Sequence, residues 1–169
     1  MSTLIILGGL PGSGKTTLAR LLAARLGALH LRIDTIEQAI RGSWLSPADV
    51  GDSGYRVGYA LAGDSLRLGL SVIADSVNPL PVTRADWRET GMRAGAEVVQ
   101  IEVVCSDPAL HRARIEARHS DIPGLVMPTW ADVLARDYRP WTADLTVDTT
   151  QPIEACMARI LSHLTPQGV

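Results

Sequence analysis

A glycine-rich stretch near the start of the chain, GGLPGSGKTT at residues 8–17, constrains the fold more than any other feature. The apolar run TLIILGG (3–9) leads directly into it and predicts a buried strand. The sequence TLARLLAARLG (17–27) follows, and its apolar residues at helical spacing before a glycine predict a helix. A buried strand, a glycine loop and a helix in this order predict an α/β fold with an anion-binding loop.

The same stretch matches the GxxxxGK[ST] pattern of phosphate-binding loops. Its glycines allow backbone N–H groups to surround a phosphate, and the start of the following helix adds partial positive charge. We expect Lys15 to bridge the β- and γ-phosphates of ATP and the Thr16 hydroxyl to bind Mg²⁺. A glycine-rich turn without a ligand is the alternative. The predicted nucleotide-binding residues are Gly9, Leu10, Pro11, Gly12, Ser13, Gly14, Lys15, Thr16 and Thr17.

Lys15 is the only lysine in a chain with fifteen arginines. A compact ammonium on a flexible stem can follow a moving γ-phosphoryl group, although a bias toward arginine codons would cause the same depletion. The single lysine excludes the Asn-Lys-x-Asp signature that guanine-specific switch GTPases share. The length of 169 residues is also short for a ring-forming ATPase. These exclusions leave a small phosphate-loop kinase as the expected class.

Composition and charge narrow the class further. A hydrophobic content of 46% against 20% charged residues predicts one globular domain, residues 1–169, without a membrane span. The net charge of −2 makes duplex nucleic acid an unexpected partner. Cys105 and Cys156 lack metal-ligand spacing and indicate free thiols. The chain opens without the features of a signal peptide, so we expect a cytoplasmic protein.

Apolar runs alternate with helical patterns along the whole chain. The predicted strands are 3–9, 29–33, 71–77, 97–105 and 145–149. The predicted helices are 17–27, 35–42, 54–69, 81–95, 107–118, 129–138 and 152–164. This alternation predicts a parallel sheet covered by helices on both faces. We expect five parallel strands in the order 2-3-1-4-5.

Two acidic residues follow predicted strands, at the sheet edge where ligands bind in α/β folds. Asp34 ends the second strand and is the candidate base that orients and deprotonates an acceptor hydroxyl. Its alternative role is to cap the helix that follows, and the two roles are compatible. Asp75 closes the strand SVIAD and is the candidate second magnesium ligand, acting through water. A plain loop-capping aspartate is the alternative there.

The helix at 107–118 and the loop at 119–128 have the features of a closing lid, spanning about residues 112–128. Arg114 and Arg118 are four residues apart and are expected to share one helical face. A guanidinium can grip two oxygens of a phosphoryl group in transfer, which makes both arginines catalytic candidates ahead of Arg112. A solvated, charged helix face is the alternative.

The stretches GLPGSGKTT, RIDTIEQ and ADSVNPLPVTRADW, with the later arginine helix, resemble small P-loop kinases. The relatives in question are the kinase domain of bacteriophage polynucleotide kinase, chloramphenicol phosphotransferase and zeta-toxin-type kinases. The resemblance implies that Asp34 activates the acceptor hydroxyl and that Asp75, with Ser76 and Asn78, lies near acceptor and metal. It also implies that the transferring phosphate is contacted by lid arginines, for which Arg112, Arg114 and Arg118 are the matching candidates.

One position departs from the polynucleotide-phosphorylating members of this group. Those members carry a basic residue about one helical turn after the base, whereas this chain has Glu37 near that position. An acid repels a nucleotide phosphate, so a small, neutral or amine-bearing acceptor is expected. The predicted activity is therefore ATP- and Mg²⁺-dependent transfer of a phosphoryl group to a hydroxyl of a small molecule. The alternatives are a 5′-hydroxyl polynucleotide or nucleoside kinase and a non-catalytic ATP-binding regulator.

Several other residues have two possible roles. Trp44, Tyr55 and Tyr59 follow Asp34 and either stack on an acceptor or pack in the core and anchor the loop. Arg84 and Arg88 either reach the acceptor or supply surface charge, and DYRPW (137–141) is expected to dock or hinge behind the lid. The four histidines share no ligand spacing, and no catalytic role is assigned to them.

Overall fold

The computed structural model describes residues 1–164, so the last five residues of the predicted domain lie outside the described part. Five parallel strands form one sheet in the order β2-β3-β1-β4-β5, which confirms the predicted class and strand order. The strands are β1 (Thr3–Gly8), β2 (Leu29–Arg32), β3 (Val72–Asp75), β4 (Glu97–Val104) and β5 (Leu145–Asp148). The helices are α1 (Lys15–Leu26), α2 (Ile33–Arg41), α3 (Ser53–Arg67), α4 (Pro81–Arg93), α5 (Pro108–Ala117), α6 (Trp130–Ala135) and α7 (Ile153–Leu164).

The central strand β1 is buried on both faces of the sheet, as its continuous apolar sequence predicts. Ile5 and Leu7 face a core that also contains residues of α1 and α7. Leu4 and Ile6 face a second core, which contains residues of α3 and α4. Each face of the sheet is thus covered by helices, and the phosphate-loop stretch leaves from the middle of the sheet.

The carboxyl ends of β1, β2 and β3 lie level with one another. Asp75 pairs with Leu7 of β1 on one side and with Arg32 of β2 on the other. The segments that leave these three strands therefore meet at a single edge of the sheet. This edge brings together the glycine-rich loop, Asp34 and Asp75, as the sequence predicts.

Three boundaries near this edge differ from the prediction. Helix α1 begins at Lys15 rather than at residue 17, because Gly14 adopts the left-handed conformation that caps it. Helix α2 begins at Ile33, so Asp34 lies in its first turn and Arg32 takes the cap position. The alternative role of Asp34 as a helix cap is therefore wrong. Strand β3 ends at Asp75, since the Val77 carbonyl accepts a hydrogen bond from the Gly9 N–H instead of continuing the strand.

The region predicted as a lid has a shorter helix than expected. Helix α5 ends at Ala117, and Arg118 has extended backbone angles of φ −76° and ψ 133°. The segment 118–129, called here the α5–α6 loop, connects it to α6. Arg136 is likewise extended, which ends α6 at Ala135 instead of residue 138. None of the helices within residues 1–164 combines the length and apolar character needed to cross a membrane.

Candidate active site

The glycine-rich loop has backbone angles that side chains seldom allow. Gly9 has φ +148°, and a Cβ there would lie 2.1 Å from the Val103 carbonyl oxygen. Gly12 has φ +80°, and a Cβ there would lie 2.7 Å from a methyl carbon of Ile115 in α5. Both positions therefore require glycine for conformation and for space. The loop packs closely against β4 and α5, and the N–H groups of Gly9 and Ser13 donate to the carbonyls of Val77 and Leu10, which leaves an anion to the N–H groups nearer the start of α1.

Lys15 is the first residue of α1, and its side chain is buried at the bottom of this loop. Burial lowers the pKa of its ammonium, and the positive charges of Arg118 and Arg32 lower it further. The carboxylates of Asp75 and Asp34 oppose this shift and raise the pKa. The lysine therefore stands between two acids and two arginines, at the centre of the charged groups along this edge.

Asp75 is almost fully buried at the end of β3. Its carboxylate Oδ2 lies 3.1 Å from the His30 Nε2 in β2. Burial by itself would raise the pKa of Asp75, but the His30 hydrogen bond, the Lys15 charge and a Thr16 hydrogen bond outweigh it and lower the pKa. Asp75 is thus held as a carboxylate in the interior. Sequence spacing gave no sign of His30, which becomes visible only when β2 and β3 lie side by side.

The neighbouring Thr16 hydroxyl and Asp75 carboxylate fit a magnesium ion of the kind that phosphate-loop enzymes use. Mg²⁺ usually takes one or two protein oxygens and completes its shell with phosphate and water. Among residues 1–164, no cluster of three or more His, Cys, Asp or Glu side chains could hold a metal by itself. Two protein oxygens beside a phosphate site are consistent with this sharing of ligands, which keeps Thr16 and Asp75 as candidate metal residues.

Asp34 lies in the first turn of α2 with 41% of its side chain exposed. Its Oδ2 is 3.9 Å from the nearer Nη2 nitrogen of Arg32. Exposure on a cavity wall leaves the carboxylate accessible to a bound hydroxyl. The position is therefore compatible with the predicted role as a base.

Arg32, which sequence reasoning did not single out, is buried immediately before α2. Its Nη1 donates to Asp121 Oδ1 in the α5–α6 loop at 2.8 Å. Asp121 also accepts a hydrogen bond from Arg20 of α1. These hydrogen bonds, with the Arg32 contact contributing most, hold the pKa of Asp121 below its usual range. Asp121, which the sequence analysis did not identify, thus connects the α5–α6 loop to Arg32 at the sheet edge and to Arg20 of α1.

The two predicted catalytic arginines occupy different environments. The Arg114 Nη1 donates to Thr149 Oγ1 at 2.7 Å, and its Nη2 donates to the Thr149 carbonyl at 2.8 Å. Arg118 instead lies among Arg32, Asp34 and Asp75: burial and the Arg32 charge lower its pKa, and Asp34 and Asp75 raise it. The expected common helical face is wrong, because α5 ends at Ala117 and Arg118 is in extended backbone.

Helix α5 packs directly on the glycine-rich loop. The His111 Nε2 lies 2.7 Å from the Pro11 carbonyl oxygen, and its ring contacts Trp130 edge-on at a centroid distance of 5.2 Å. Thr149 supports the same loop from the other side, since its Oγ1 donates to the Ser13 carbonyl at 2.7 Å. The conformation of the loop is therefore held by α5 and by the segment after β5.

Two cavities open along this edge and share Lys15 and Arg118. The first, of about 520 Å³, is bounded by the glycine-rich loop, Arg114 and the segment after β5. The second, of about 820 Å³, is lined by α2 and by the α5–α6 loop and contains Asp34. An anion held at Lys15 is thus accessible from both sides, and only the second side presents the candidate base.

Charged groups in the second cavity are partly paired. Glu37 Oε2 lies 3.5 Å from Arg41 Nη2 one turn later in α2. Burial raises the pKa of Glu37, as does Asp34, while Arg41 and Arg136 lower it. Arg136 also lines the cavity, and within residues 1–164 it takes part in no ion pair. Glu37 is therefore not the free acid that its sequence position implies.

The three aromatic residues after Asp34 separate into different roles. Tyr55 lines the second cavity, and its hydroxyl oxygen accepts from the Asn78 N–H at 3.1 Å. Tyr59 instead contacts Trp87 edge-on in the core, with ring centroids 4.7 Å apart. Trp44 is 96% exposed. Of the three, only Tyr55 is in a position to contact an acceptor in the second cavity.

Arg84 fulfils neither of its predicted roles. It is buried, and its guanidinium donates to the backbone carbonyls of Asn78, Pro79, Arg139 and Pro140. Its guanidinium carbon also lies 4.9 Å from the ring centroid of Trp141. Arg84 therefore anchors the DYRPW segment against the loop after β3, which agrees with a docking role for that segment. Arg88 is exposed, in agreement with its predicted alternative role as a surface charge.

The five-stranded parallel sheet and the geometry of the glycine-rich loop are those of the P-loop nucleoside triphosphatase fold. The sequence matches the model of an AAA domain family over residues 4–137, and the chain belongs to that family. No curated protein sequence matches the chain. The specific relation to the phage, chloramphenicol and zeta-toxin kinases stays a prediction.

Solved structures with the same fold include kinases. A proposed kinase from Chloroflexus aurantiacus J-10-fl is 26% identical with a TM-score of 0.73, and the match covers 96% of each chain. A sugar kinase from Janibacter sp. HTCC2649 is 20% identical with a TM-score of 0.71, covering 97% of this chain and 95% of that one. Kti12 from Chaetomium thermophilum, in complex with ADP-AlF3, is 22% identical with a TM-score of 0.66, covering 96% and 99%. The last two likenesses concern the fold alone.

Proposed function

We propose that the chain is an ATP- and Mg²⁺-dependent kinase that transfers the γ-phosphoryl group to a hydroxyl of a small molecule. One observation carries the proposal: two cavities meet at Lys15 and Arg118, and the candidate base Asp34 lines only one of them. Phosphoryl transfer needs a nucleotide site and an acceptor site that share the position of the transferred group. The likeness to kinase structures is in accord with this arrangement.

The nucleotide belongs in the first cavity. The backbone of the loop 9–16 and the start of α1 offer a site for the β-phosphate. Lys15 and Arg118 then lie on the side of the γ-phosphate, where the two cavities join. Thr16 and Asp75 would hold Mg²⁺, which neutralises charge on the β- and γ-phosphate oxygens when it is bound.

The acceptor belongs in the second cavity, where Asp34 faces its hydroxyl. The hydroxyl oxygen forms a bond to the γ-phosphorus, the bond from that phosphorus to the β–γ bridging oxygen breaks, and ADP leaves. The hydroxyl proton passes to the Asp34 carboxylate. Lys15 and Arg118 stabilise the negative charge on the phosphoryl oxygens during transfer. Positioning and electrostatics account for this chemistry without a covalent intermediate.

The test is a phosphotransfer screen on wild type beside Asp34→Asn. Hydroxyl-bearing antibiotics, sugars, nucleosides and 5′-hydroxyl oligonucleotides are incubated with ATP and Mg²⁺, and products are detected by mass. We expect wild type to form one class of product and Asp34→Asn to lose at least about 100-fold in rate with ATP binding retained. Asp52→Asn is the matched control, because Asp52 is exposed and, in the part of the chain that the structure describes, forms an ion pair only with Arg56. Equal rates for wild type and Asp34→Asn would refute the assigned base.

A 5′-hydroxyl nucleic-acid kinase is a second candidate, favoured by Arg136, a cation in the second cavity that takes part in no ion pair within residues 1–164. Such an enzyme contacts several phosphates and releases counterions, so its binding weakens steeply with added salt. Oligonucleotide affinity that stays constant between about 50 and 200 mM salt would contradict this candidate.

A nucleotide-binding regulator is the third candidate; the structure of Kti12, which has a similar fold, was solved in complex with ADP-AlF3 and is not described as a kinase. For a regulator, ATP binds but no acceptor is phosphorylated, and Asp34→Asn hydrolyses ATP as slowly as wild type. Retained ATP affinity with complete loss of transfer in Asp34→Asn would contradict the regulator.

A further inference from the structure

The buried guanidinium of Arg32 is shared unequally between two carboxylates. Only 6% of its side chain is exposed. Its Nη1 makes a 2.8 Å hydrogen bond to Asp121 Oδ1, whereas its Nη2 lies 3.9 Å from Asp34 Oδ2. Its Nε is buried without a hydrogen-bond partner among the described residues. Arg32 thus touches the α5–α6 loop directly and stands one short movement away from the candidate base.

A buried guanidinium needs a carboxylate, because an unpaired buried charge costs several kcal/mol. Asp121 is the direct partner, but it is 53% exposed and lies in a loop rather than in the sheet. Two nearby cations repel Arg32, since its charge lowers the pKa of both Lys15 and Arg118. When Asp121 moves away, the nearest remaining carboxylate is Asp34 at 3.9 Å.

We infer that Arg32 is a positioning residue that makes Asp34 available only when the α5–α6 loop is closed. With the loop closed, Asp121 holds Arg32 away from Asp34, and the carboxylate is free to accept a hydrogen bond from the acceptor. With the loop open, Arg32 turns to Asp34 and forms a direct ion pair. A carboxylate in such a pair is a poorer proton acceptor.

This arrangement has a clear chemical use in a kinase. The α5–α6 loop lines the acceptor cavity, through residues 124–128, so its opening admits both the acceptor and water. A base that is occupied in the open state cannot activate water for attack on ATP. Closure over an acceptor then frees the base. The inference rests on the proposed function, since the role of Asp34 as base belongs to that proposal.

A structural experiment tests the inference without depending on activity. In a crystal structure of the Asp121→Asn protein, we expect the Arg32 Nη2 to Asp34 Oδ2 distance to shorten from 3.9 Å to about 2.9 Å. Arg20→Gln is the control, since it removes the other partner of Asp121 and leaves the Arg32 pair, so the 3.9 Å distance should persist. An Arg32 that stays in place in Asp121→Asn, or that turns elsewhere, would overturn the inference.

A kinetic experiment follows once an acceptor is known. We expect Asp121→Asn to lower kcat about 10-fold or more while the KM for ATP changes less than about threefold. The double variant Asp121→Asn with Arg32→Gln should regain most of that loss, because nothing is left to occupy Asp34. If the contact between Asp121 and Arg32 only holds the loop in place and does not affect Asp34, the double variant should be no faster than Asp121→Asn. Circular dichroism checks the fold of the Arg32→Gln proteins.

The two proposals fail in different ways. If wild type phosphorylates no acceptor, the kinase proposal fails, while the crystal structure of Asp121→Asn still shows whether Arg32 moves to Asp34. If wild type is an active kinase but Arg32 does not move, only the coupling fails. Should Arg32→Gln not fold, the comparison of Asp121→Asn with Arg20→Gln decides the question alone.

Discussion

His30 and Asp75 form a hydrogen-bonded pair across neighbouring strands, with His30 Nε2 3.1 Å from Asp75 Oδ2. The imidazole orients the one carboxylate that is buried beside Lys15 and Thr16. Groups that orient a metal-binding carboxylate typically change metal affinity or activity 10- to 100-fold when they are removed. The pair therefore gives His30 a part in the candidate site that its position in the sequence does not reveal.

The first prediction concerns this pair. We expect His30→Ala to raise the Mg²⁺ concentration needed for half-maximal phosphotransfer about 10-fold, because Asp75 loses its fixed orientation. The measurement is a magnesium titration at saturating ATP, with calorimetric binding of Mg²⁺-ADP as a second readout. His163→Gln, on the exposed side of α7, is the control. An unchanged magnesium requirement would show that His30 only fills space.

The second prediction concerns the lone lysine. We expect both Lys15→Ala and Lys15→Arg to lose at least about 100-fold in kcat/KM, because the ammonium is buried and an arginine fork needs more room. The measurement is steady-state phosphotransfer together with nucleotide binding by calorimetry. Near-normal activity in Lys15→Arg would mean that positive charge alone suffices and that codon bias explains the missing lysines.

The third prediction separates the two arginines. We expect Arg118→Ala to lower kcat about 100-fold with little change in nucleotide affinity, since Arg118 lies where the two cavities join. We expect Arg114→Ala mainly to raise the KM for ATP, about 10-fold, because Arg114 holds Thr149 beside the glycine-rich loop.

Arg112→Gln is the control for both variants, as Arg112 lies on the exposed side of α5 and, among the described residues, forms an ion pair only with Glu116. Equal effects of Arg114→Ala and Arg118→Ala on kcat would contradict the separation of their roles.

The fourth prediction concerns the charge of the acceptor. Glu37 forms an ion pair with Arg41, whereas Arg136, which also lines the second cavity, takes part in no ion pair within residues 1–164. We therefore expect a carboxylate-bearing acceptor to be preferred over its neutral amide, the reverse of the preference that Glu37 alone indicates. The measurement compares kcat/KM for such a matched pair, and Arg136→Gln should reduce the preference about 10-fold. Equal use of the acid and the amide by wild type would refute this assignment.

The fifth prediction concerns stability in acid. Burial alone would raise the pKa of Asp148, but hydrogen bonds from Ser106 and Thr150 outweigh it and lower the pKa to about 2. A folded-state pKa below the ordinary value of about 3.9 means that the stabilisation is complete above pH 4 and is lost as the pH falls toward 2.

We expect Asp148→Asn to cost about 1 kcal/mol of unfolding free energy at pH 7, less than the full pKa shift implies because solvent screens this partly exposed carboxylate, and much less near pH 2. Urea unfolding at several pH values measures this difference, with Asp52→Asn as the exposed control. A loss that is independent of pH would show that the carboxylate charge is not involved.

The sequence alone determined the architecture of the molecule. The run before the glycine-rich loop is continuously apolar because β1 is buried on both faces, and Gly9 and Gly12 are required by local backbone angles and close contacts. These constraints act between neighbours in the chain or along one element, so a sequence pattern records them. The placement of Asp34 and Asp75 at one edge also followed, since parallel strands all end on the same side.

The tertiary structure decided which charged groups face one another. His30 meets Asp75 because β2 and β3 are neighbours in register, and Asp121 meets Arg32 although 89 residues separate them. Arg114 donates a hydrogen bond to Thr149, which is 35 residues away in the sequence. No local sequence pattern marks such pairs, because a charged residue that is exposed on the surface and one that is paired in the interior cannot be distinguished from the sequence alone. The cost of burying a charge without a partner is a property of the folded interior, and it fixed these contacts.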